Sequence, residues 1–284
     1  MQRPIIADVS YREFSPGDAL KPYVECYWTA DFNGTAADVT PEQECLPLGL
    51  MELIFTLNED PFEVTIGGKR DILPASFIAG LYDVPASWKG AGNSRIFGIR
   101  IKPECLLELF GIPVSVVFQE YTDTRHFFGK IADELTDRMR QATSTGDRIM
   151  LAEDFLLQYL RDRQHGRNYI VEATRIIRQS AGNISLEELS GQLYISPRQL
   201  QRRFKDSIGT SPKTFMRIIR FAHAYGYVQR QQGAPNWASL SYHFGYSDQA
   251  HFIRDFKQFS GKLPSLVVDE QQLYYQGARQ LSLR

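Results

Sequence analysis

The chain has 284 residues, of which 43% are hydrophobic and 23% charged, and this length corresponds to about two domains. No apolar run approaches the ~18 residues of a membrane span, and the N-terminus lacks the basic and apolar regions of a signal peptide, so we expect a cytoplasmic protein without a membrane segment. The three scattered cysteines, Cys26, Cys45 and Cys105, favour buried free thiols over disulfides.

The N-terminal part of the chain predicts a series of short strands rich in aromatic and β-branched residues and separated by Gly, Pro and Asn turn signals. The predicted strands cover residues 23–32, 50–57, 62–67, 76–84 and 94–102. In the last strand Ile99 and Ile101 flank Arg100, which predicts one buried face and one open face that carries the arginine. Many short strands at regular spacing predict a small barrel or sandwich.

Beyond these strands the pattern becomes helical. The predicted helices cover residues 104–111, 123–143 and 147–163. Asp123 and Asp147 are predicted N-caps of the two longer helices. This helix pair either packs on its own domain or forms a dimer interface, and the apolar stripe of the helices favours neither alternative. The polar residues 163–169 are predicted to form a linker.

Charge is distributed unevenly along the chain, although the net charge is only -1. Residues 169–266 hold 13 Lys and Arg against 6 Asp and Glu, whereas residues 1–168 hold 17 against 25. An acidic N-terminal part joined to a basic C-terminal part is typical of a sensor attached to a module that binds a polyanion.

The C-terminal part predicts several helices with clear starting signals. Ser185 and Glu188 have the spacing of a capping box, and Ser196 precedes a proline at the first helical position, Pro197. Residues 211–232 predict one helix of about six turns. A helix of this length can hold the segments on either side of it at a fixed distance.

The same unit occurs twice in this part of the chain. The segment "LQRRFKDSIGTSP" (200–212) aligns with "FIRDFKQFSGKLP" (252–264) at an offset of 52 residues, and the preceding pieces align at an offset of 51. Each unit consists of a short helix, a tight turn and a second helix closed by Gly and Pro. This arrangement predicts two helix-turn-helix motifs.

The second helix of each unit has an apolar side and a polar, basic side on a helical wheel. The inward residues are Leu200, Phe204 and Ile208 in the first unit and Phe252, Phe256 and Phe259 in the second. The outward polar residues are Arg198, Gln201, Arg202 and Lys205 in the first unit and Ser247, Gln249, His251, Arg254 and Lys257 in the second. Arg and Gln side chains in such positions can reach base edges in a major groove, whereas Ser and Lys bind phosphates.

Two segments carry a specific signature, namely "SLEELSGQLYISPRQLQRRFKDSIGTSPKTFMRIIRFAHA" and "LSYHFGYSDQAHFIRDFKQFSGKLPS". Through them, residues 169–266 strongly resemble the double helix-turn-helix domain of the AraC family of bacterial transcription regulators. The resemblance implies that the two units bind adjacent major-groove segments. The implied base-reading residues are Arg198, Gln201, Arg202, Gln249, His251 and Arg254. The expected phosphate contacts are Ser196, Lys205, Ser247 and Lys257.

The segments "LKPYVECYW", "CLPLGLMELIFTL" and "SRIFGIRIKPECLLELFGIP" are similar to the cupin-like sensor domain in one branch of that family. The expected fold is therefore α+β with two domains, a small cupin-like β-barrel followed by helices and an all-α double helix-turn-helix. The expected parts are residues 1–164, residues 169–266 and a tail at 267–284. The candidate effector-binding residues are Trp28, Tyr82, Trp88 and Arg100, although their residue types favour packing in the core or, for Arg100, a place on the strand surface.

These features predict a sequence-specific DNA-binding regulator, an activator that responds to a small-molecule effector. Its expected partners are double-stranded DNA, RNA polymerase and a second copy of the chain, and no cofactor or membrane is expected. An alternative stays open, in which the N-terminal domain binds no ligand and only dimerises.

An enzyme is not expected. No predicted strand carries a histidine, and His126 and His165 lie in helical or linker segments, so a cupin-type metal enzyme would lack converging ligands. A methyl-transfer DNA-repair regulator needs clustered cysteines for zinc and an activated thiolate, and the three cysteines are not clustered.

Overall fold

The computed structural model describes residues 9–35, 37–40, 42–58, 62–66, 69–162, 168–231 and 235–268. The strands are β1 (Val9–Phe14), β2 (Val24–Phe32), β3 (Gln43–Cys45), β4 (Met51–Thr56), β5 (Phe62–Ile66), β6 (Lys69–Leu73), β7 (Ser76–Ala79), β8 (Ala86–Gly90), β9 (Arg95–Ile101) and β10 (Tyr121–Asp123). They form two antiparallel sheets, one with the order β1-β2-β9-β4-β7-β10 and one with the order β3-β8-β5-β6.

The two sheets are not closed into a barrel, so the expected small barrel is wrong in this respect. In the described part of the chain, no strand of one sheet pairs with a strand of the other. The open face expected for the last strand is also wrong, because β9 lies between β2 and β4 and is buried on both sides. Arg100 is only 3% exposed, since its side of the strand faces the smaller sheet.

The helices are α1 (Arg125–Phe128), α2 (Lys130–Gln141), α3 (Thr145–Asp162), α4 (Tyr169–Gln179), α5 (Leu186–Gln192), α6 (Pro197–Ile208), α7 (Pro212–Val228), α8 (Trp237–His243), α9 (Gln249–Ser260) and α10 (Pro264–Val267). Three shorter helical segments occur at Asp18–Leu20, Cys105–Phe110 and Val114–Val117. The helix expected over residues 211–232 ends at Val228, and Val267, expected in the tail, is buried at the end of α10.

The helix expected over residues 123–143 is interrupted at Gly129, whose φ of 54° is left-handed and separates α1 from α2. Asp147 is not the N-cap of α3. The Ser144 hydroxyl accepts a hydrogen bond from the Asp147 amide (3.1 Å), and the Asp147 carboxylate accepts one from the Ser144 amide (3.2 Å). This reciprocal pair starts the helix two residues earlier than expected. Asp123 ends β10, and its carboxylate accepts from the Arg125 amide (2.8 Å).

The N-terminal sheets and the C-terminal helices share their hydrophobic cores. Phe97 of β9 and Leu106 belong to the same cluster as Leu200 and Phe204 of α6. A second cluster joins α7, α8 and α9, and includes Leu48 from the segment before β4. The two domains therefore pack directly against each other through apolar side chains.

Polar contacts also join the two domains. The Arg175 guanidinium of α4 donates to the Glu108 carboxylate at 2.7 Å. Lys262, which follows α9, pairs with Glu44 of β3 at 2.9 Å. The Ser115 hydroxyl donates to the backbone carbonyl of Asp206 in α6 at 2.6 Å. The N-terminal domain thus contacts both helix-turn-helix units.

Candidate nucleic-acid interface

The two predicted helix-turn-helix units have the same dimensions. The first helices, α5 and α8, have seven residues each, and the second helices, α6 and α9, have 12 each. Both second helices end at a glycine in the left-handed conformation, Gly209 and Gly261, whose amides donate to the carbonyls of Lys205 and Lys257. The repeat found in the sequence is therefore a structural duplication.

The turns of the two units also correspond, with one inserted residue. Tyr194 (φ 56°) and Gly245 (φ 73°), which are 51 residues apart, occupy the same left-handed position. Ser196 caps α6 by accepting from the Gln199 amide at 3.2 Å, whereas α9 is capped by Asp248, which accepts from the His251 amide at 2.7 Å. The cap positions are 52 residues apart, so the extra residue lies in the second turn.

The first recognition helix, α6, presents the predicted basic side to solvent. Its inward residues Leu200, Phe204 and Ile208 have no exposed surface. The predicted DNA-contacting residues Ser196, Arg198, Gln201, Arg202 and Lys205 are all exposed. The helical-wheel assignment of buried and exposed sides in this unit is correct, although DNA contact itself stays a prediction.

The second recognition helix, α9, has a comparable surface with one difference. Phe252, Phe256 and Phe259 are fully buried, and the exposed predicted residues are Ser247, Gln249, Arg254 and Lys257. His251 is half-buried and engaged by its own unit. Its Nδ1 lies 3.1 Å from the Ser247 hydroxyl, its Nε2 lies 3.7 Å from Asp255, and its ring packs edge-on against Tyr246. A base contact by His251 would require these interactions to be exchanged.

Helix α7 connects the two units and packs against both recognition helices. The Phe215 ring, near its start, lies 5.7 Å from the Phe204 ring of α6, measured between centroids. The Phe221 ring, further along, lies 5.3 Å from the Phe256 ring of α9. Buried aromatic contacts at two positions along one helix fix the spacing of the two basic surfaces.

The four candidate effector residues line one cavity between the two sheets. The cavity has a volume of about 90 Å³, and Trp28, Tyr82, Trp88 and Arg100 are all in its wall. The arginine is held by two carboxylates, with Nε 2.8 Å from Glu52 and Nη1 2.9 Å from Glu13. The Trp28 indole also donates to Glu52 at 2.7 Å. The sequence thus identified residues that meet in space, and whether they bind a ligand stays a prediction.

The described residues contain no group of three or more His, Cys, Asp or Glu side chains arranged to hold a metal ion. Cys26 and Cys105 are buried, Cys45 is half-buried, and all three are free thiols. Burial raises the pKa of the Cys26 thiol to about 12, so this thiol stays protonated near neutral pH.

The C-terminal residues 189–269 match a family described as "Helix-turn-helix domain". The chain is a transcription regulator whose C-terminal domain is an AraC-type helix-turn-helix domain. Residues 12–123 match a second family, described as "Domain of unknown function (DUF6597)". No curated protein matches this regulator.

Solved structures of other regulators show a more distant similarity. ToxT from Vibrio cholerae O395 is 11% identical, with 92% of this chain and 96% of that chain covered and a TM-score of 0.46. ToxT from Vibrio cholerae strain SCE256 bound to an unsaturated fatty acid is 10% identical, with coverage of 92% and 94% and a TM-score of 0.45. A probable AraC family regulator from Rhodopseudomonas palustris CGA009 is 25% identical, with coverage of 36% and 95% and a TM-score of 0.34. Scores this low do not establish a shared fold, so the assignment depends on the family match and the duplicated motif.

One contact that supports the second recognition helix of the regulator was missed by sequence reasoning. Arg217 of α7 forms a two-pronged ion pair with Asp255 of α9, with Nε 3.1 Å and Nη2 2.7 Å from the carboxylate oxygens. Asp255 is only 2% exposed. The hydrogen bond to Asp255 raises the pKa of Arg217, and burial opposes this rise with a smaller effect. The sequence signal that could have indicated a buried ion pair here is the acidic residue at position 255, between Arg254 and the inward-facing Phe256.

In the described part of the regulator, no helix combines the length and the apolarity that a bilayer crossing requires.

Proposed function

We propose that this regulator reads two adjacent major-groove segments through α6 and α9 and activates transcription when a small effector binds its N-terminal domain. The observation that carries the DNA-reading part is the pair of equal recognition helices, each with an exposed Arg, at positions 202 and 254, opposite a fully buried apolar side. An exposed guanidinium on such a helix can pair with two acceptors of guanine in the major groove.

Sequence choice would come from Arg198, Gln201 and Arg202 in the first unit and from Gln249, His251 and Arg254 in the second. Affinity that does not depend on sequence would come from phosphate contacts of Ser196, Lys205, Ser247 and Lys257. Both serine hydroxyls already have protein partners, because Ser196 caps α6 and Ser247 contacts His251. We therefore expect the two lysines to supply most of the phosphate attraction.

The effector-responsive part is supported by one segment that touches both the cavity and the DNA-binding helices. Leu46 and Leu48 line the cavity between the sheets and also pack in the cluster that contains Phe221 and Phe256. A ligand that displaced this segment would shift its contact with α7, provided that the ligand binds one arrangement better than the other. We further propose that the regulator acts in the cytoplasm as a homodimer, contacts RNA polymerase and catalyses no reaction.

The DNA-reading proposal is tested by comparing Arg254→Ala with Lys257→Ala on the operator and on random DNA. Arg254→Ala is expected to lose about 1–3 kcal/mol of discrimination at one base pair, because a base contact is removed. Lys257→Ala, on the same helix, is expected to weaken binding to all sequences similarly and to lower the slope of log K against log salt by about one. The operator is first obtained by selecting bound DNA from a random pool, and fluorescence anisotropy then gives the affinities. Equal losses on specific and random DNA for Arg254→Ala would contradict the assignment.

A further inference from the structure

One short segment of the N-terminal domain packs against the C-terminal end of the first recognition helix. The Ser115 hydroxyl donates a hydrogen bond to the Asp206 carbonyl of α6 at 2.6 Å. This carbonyl lies in the last turn of the helix, where backbone carbonyls have no amide partner within the helix. Ser115 therefore supplies a hydrogen bond that α6 cannot form within itself.

The same segment approaches α6 closely at the glycine that ends the helix. Gly209 has a φ of 93°, and a methyl group added there would lie 2.5 Å from the Cβ atom of Phe118. A glycine leaves room for the Phe118 side chain at this distance, and any other residue would displace it. Phe118 also packs against the hydrophobic cluster that contains Phe204 and Ile208 of α6. The contact thus combines a hydrogen bond with close apolar packing.

Residues 114–118, which we call the brace, are themselves fixed to the N-terminal sheets. Val117 is fully buried. Gln119, directly after the brace, has a φ of 59°, which is uncommon for a residue other than glycine. Its amide donates to the carbonyl of Leu81, just beyond β7, at 2.9 Å. The position of the sheet therefore determines the position of the brace, and through it the position of the end of α6.

The corresponding end of the second recognition helix is held less closely. A methyl group added at Gly261, the counterpart of Gly209, would meet one atom of the described residues within 4 Å, Pro85 Cγ at 3.9 Å, which is an ordinary contact. Lys262 pairs with Glu44 at 2.9 Å, but these side chains are 29% and 36% exposed, and exposed ion pairs contribute little. The N-terminal domain therefore fixes α6 more firmly than α9.

The brace leaves the predicted base-reading side of α6 open. It contacts the C-terminal end of this 12-residue helix, whereas Arg198, Gln201 and Arg202 lie in the first half and are exposed. A side chain that discriminates between bases has to be held within about 0.5 Å of its productive position. Because a helix is rigid, a shift at its C-terminal end also moves the side chains nearer its start.

We propose that Ser115 and Phe118 are positioning residues for DNA reading by the first unit. They hold α6 at the angle at which Arg198, Gln201 and Arg202 meet their base pairs. The N-terminal domain thereby determines how strictly one half of the operator is read, whereas the other half is read independently of the brace. This inference rests on the proposed function, since it requires that α6 reads bases.

The test compares discrimination in the two halves of the operator. The operator selected from a random pool is altered one base pair at a time, and fluorescence anisotropy gives the affinity of each altered site for the full chain. A mismatch is expected to weaken binding by the unmodified protein about 5- to 150-fold in either half. Arg202→Ala and Arg254→Ala each relax specificity at the base pair that the arginine contacts, which identifies the half read by each unit.

Ser115→Ala/Phe118→Ala is expected to lower the largest mismatch penalty in the half read by the first unit at least about fivefold, because a loosely held helix can shift away from a wrong base. The penalties in the other half are expected to stay within about twofold. General destabilisation would weaken binding to all sites alike and leave these ratios unchanged. The matched control is Val116→Ala, which truncates a brace side chain that is 50% exposed and is expected to change the penalties in either half by less than about twofold.

Single substitutions at Ser115 keep the proposal testable if the double variant does not fold. Ser115→Ala removes one hydrogen bond and is expected to lower the same penalty about threefold. Ser115→Thr retains a hydroxyl and is expected to keep the penalty of the unmodified protein. Loss of discrimination in both single variants, or in neither, would contradict the role of the hydroxyl.

The two proposals fail in different ways. Unchanged penalties in both halves, an equal decrease in both halves, or the same decrease with Val116→Ala would overturn the positioning role and leave the DNA-reading proposal intact. If neither Arg202→Ala nor Arg254→Ala relaxed specificity at any base pair, the proposed function itself would be wrong, and the positioning role with it.

Discussion

Replacing Asp255 by Ala is expected to destabilise the C-terminal domain by about 3 kcal/mol. The Asp255 carboxylate is 2% exposed and accepts two hydrogen bonds from Arg217 of α7, so its removal leaves the arginine without its ion-pair partner. The expected value is at the lower end of the ~3–5 kcal/mol typical of broken buried pairs, because the Arg217 side chain is 27% exposed and regains some hydration.

The matched control for this prediction is Gln258→Ala, which removes a different partner of the same arginine. The Gln258 amide oxygen accepts from Arg217 Nη2 at 2.6 Å, but it does so at the surface, so its loss is expected to cost no more than about 0.5 kcal/mol. Urea denaturation followed by circular dichroism gives both values. A similar loss of unfolding free energy in the two variants would mean that burial of the Arg217–Asp255 pair does not contribute to stability.

A double-mutant cycle separates the ion pair from the other contacts of each residue. Asp255→Ala/Arg217→Ala is expected to cost about 1–3 kcal/mol less than the sum of the single variants, because the second substitution removes the group that the first left unpaired. The pair also fixes the position of α9 against α7. We therefore expect Asp255→Ala to weaken operator binding even at temperatures where the domain stays folded.

The exposed basic sides of α6 and α9 could be predicted from the sequence because their determinants are local. The inward positions of Phe204 and Phe256 follow from a period of 3.6 residues within one helix. The capping box of Ser185 and Glu188 involves residues three apart, and both of its hydrogen bonds are present, at 3.1 and 2.9 Å. The duplication added an independent second copy of each signal.

The features that the sequence did not reveal depend on residues far apart in the chain. Arg217 and Asp255 are 38 positions apart, and the acidic residue at position 255 does not indicate which distant residue it pairs with. The alternation around Arg100 correctly indicates a strand, but it does not show that a second sheet covers the other side. Closure of a barrel likewise depends on which edge strands pair, which periodicity does not specify.

The contact between α4 and α7 provides a second prediction, because it depends on a glycine that follows α4. Gly182, just after α4, has a φ of 77°, and its carbonyl accepts from the Arg220 guanidinium at 2.9 Å. A methyl group at this position would lie 2.2 Å from the backbone carbonyl oxygen of Met216 in α7. Backbone atoms of a helix cannot move aside as a flexible side chain can.

Gly182→Ala is therefore expected to destabilise the regulator by about 3 kcal/mol, from the left-handed φ and the clash together. The control is Gly191→Ala in α5, where a methyl group would meet nothing within 4 Å and the φ is not left-handed. That substitution is expected to stabilise by about 0.5–1 kcal/mol, since alanine favours the helix. Thermal and urea unfolding of the two variants should therefore shift in opposite directions from the unmodified protein. If Gly182→Ala unfolded like Gly191→Ala, the close approach of the α4 end to α7 would be wrong.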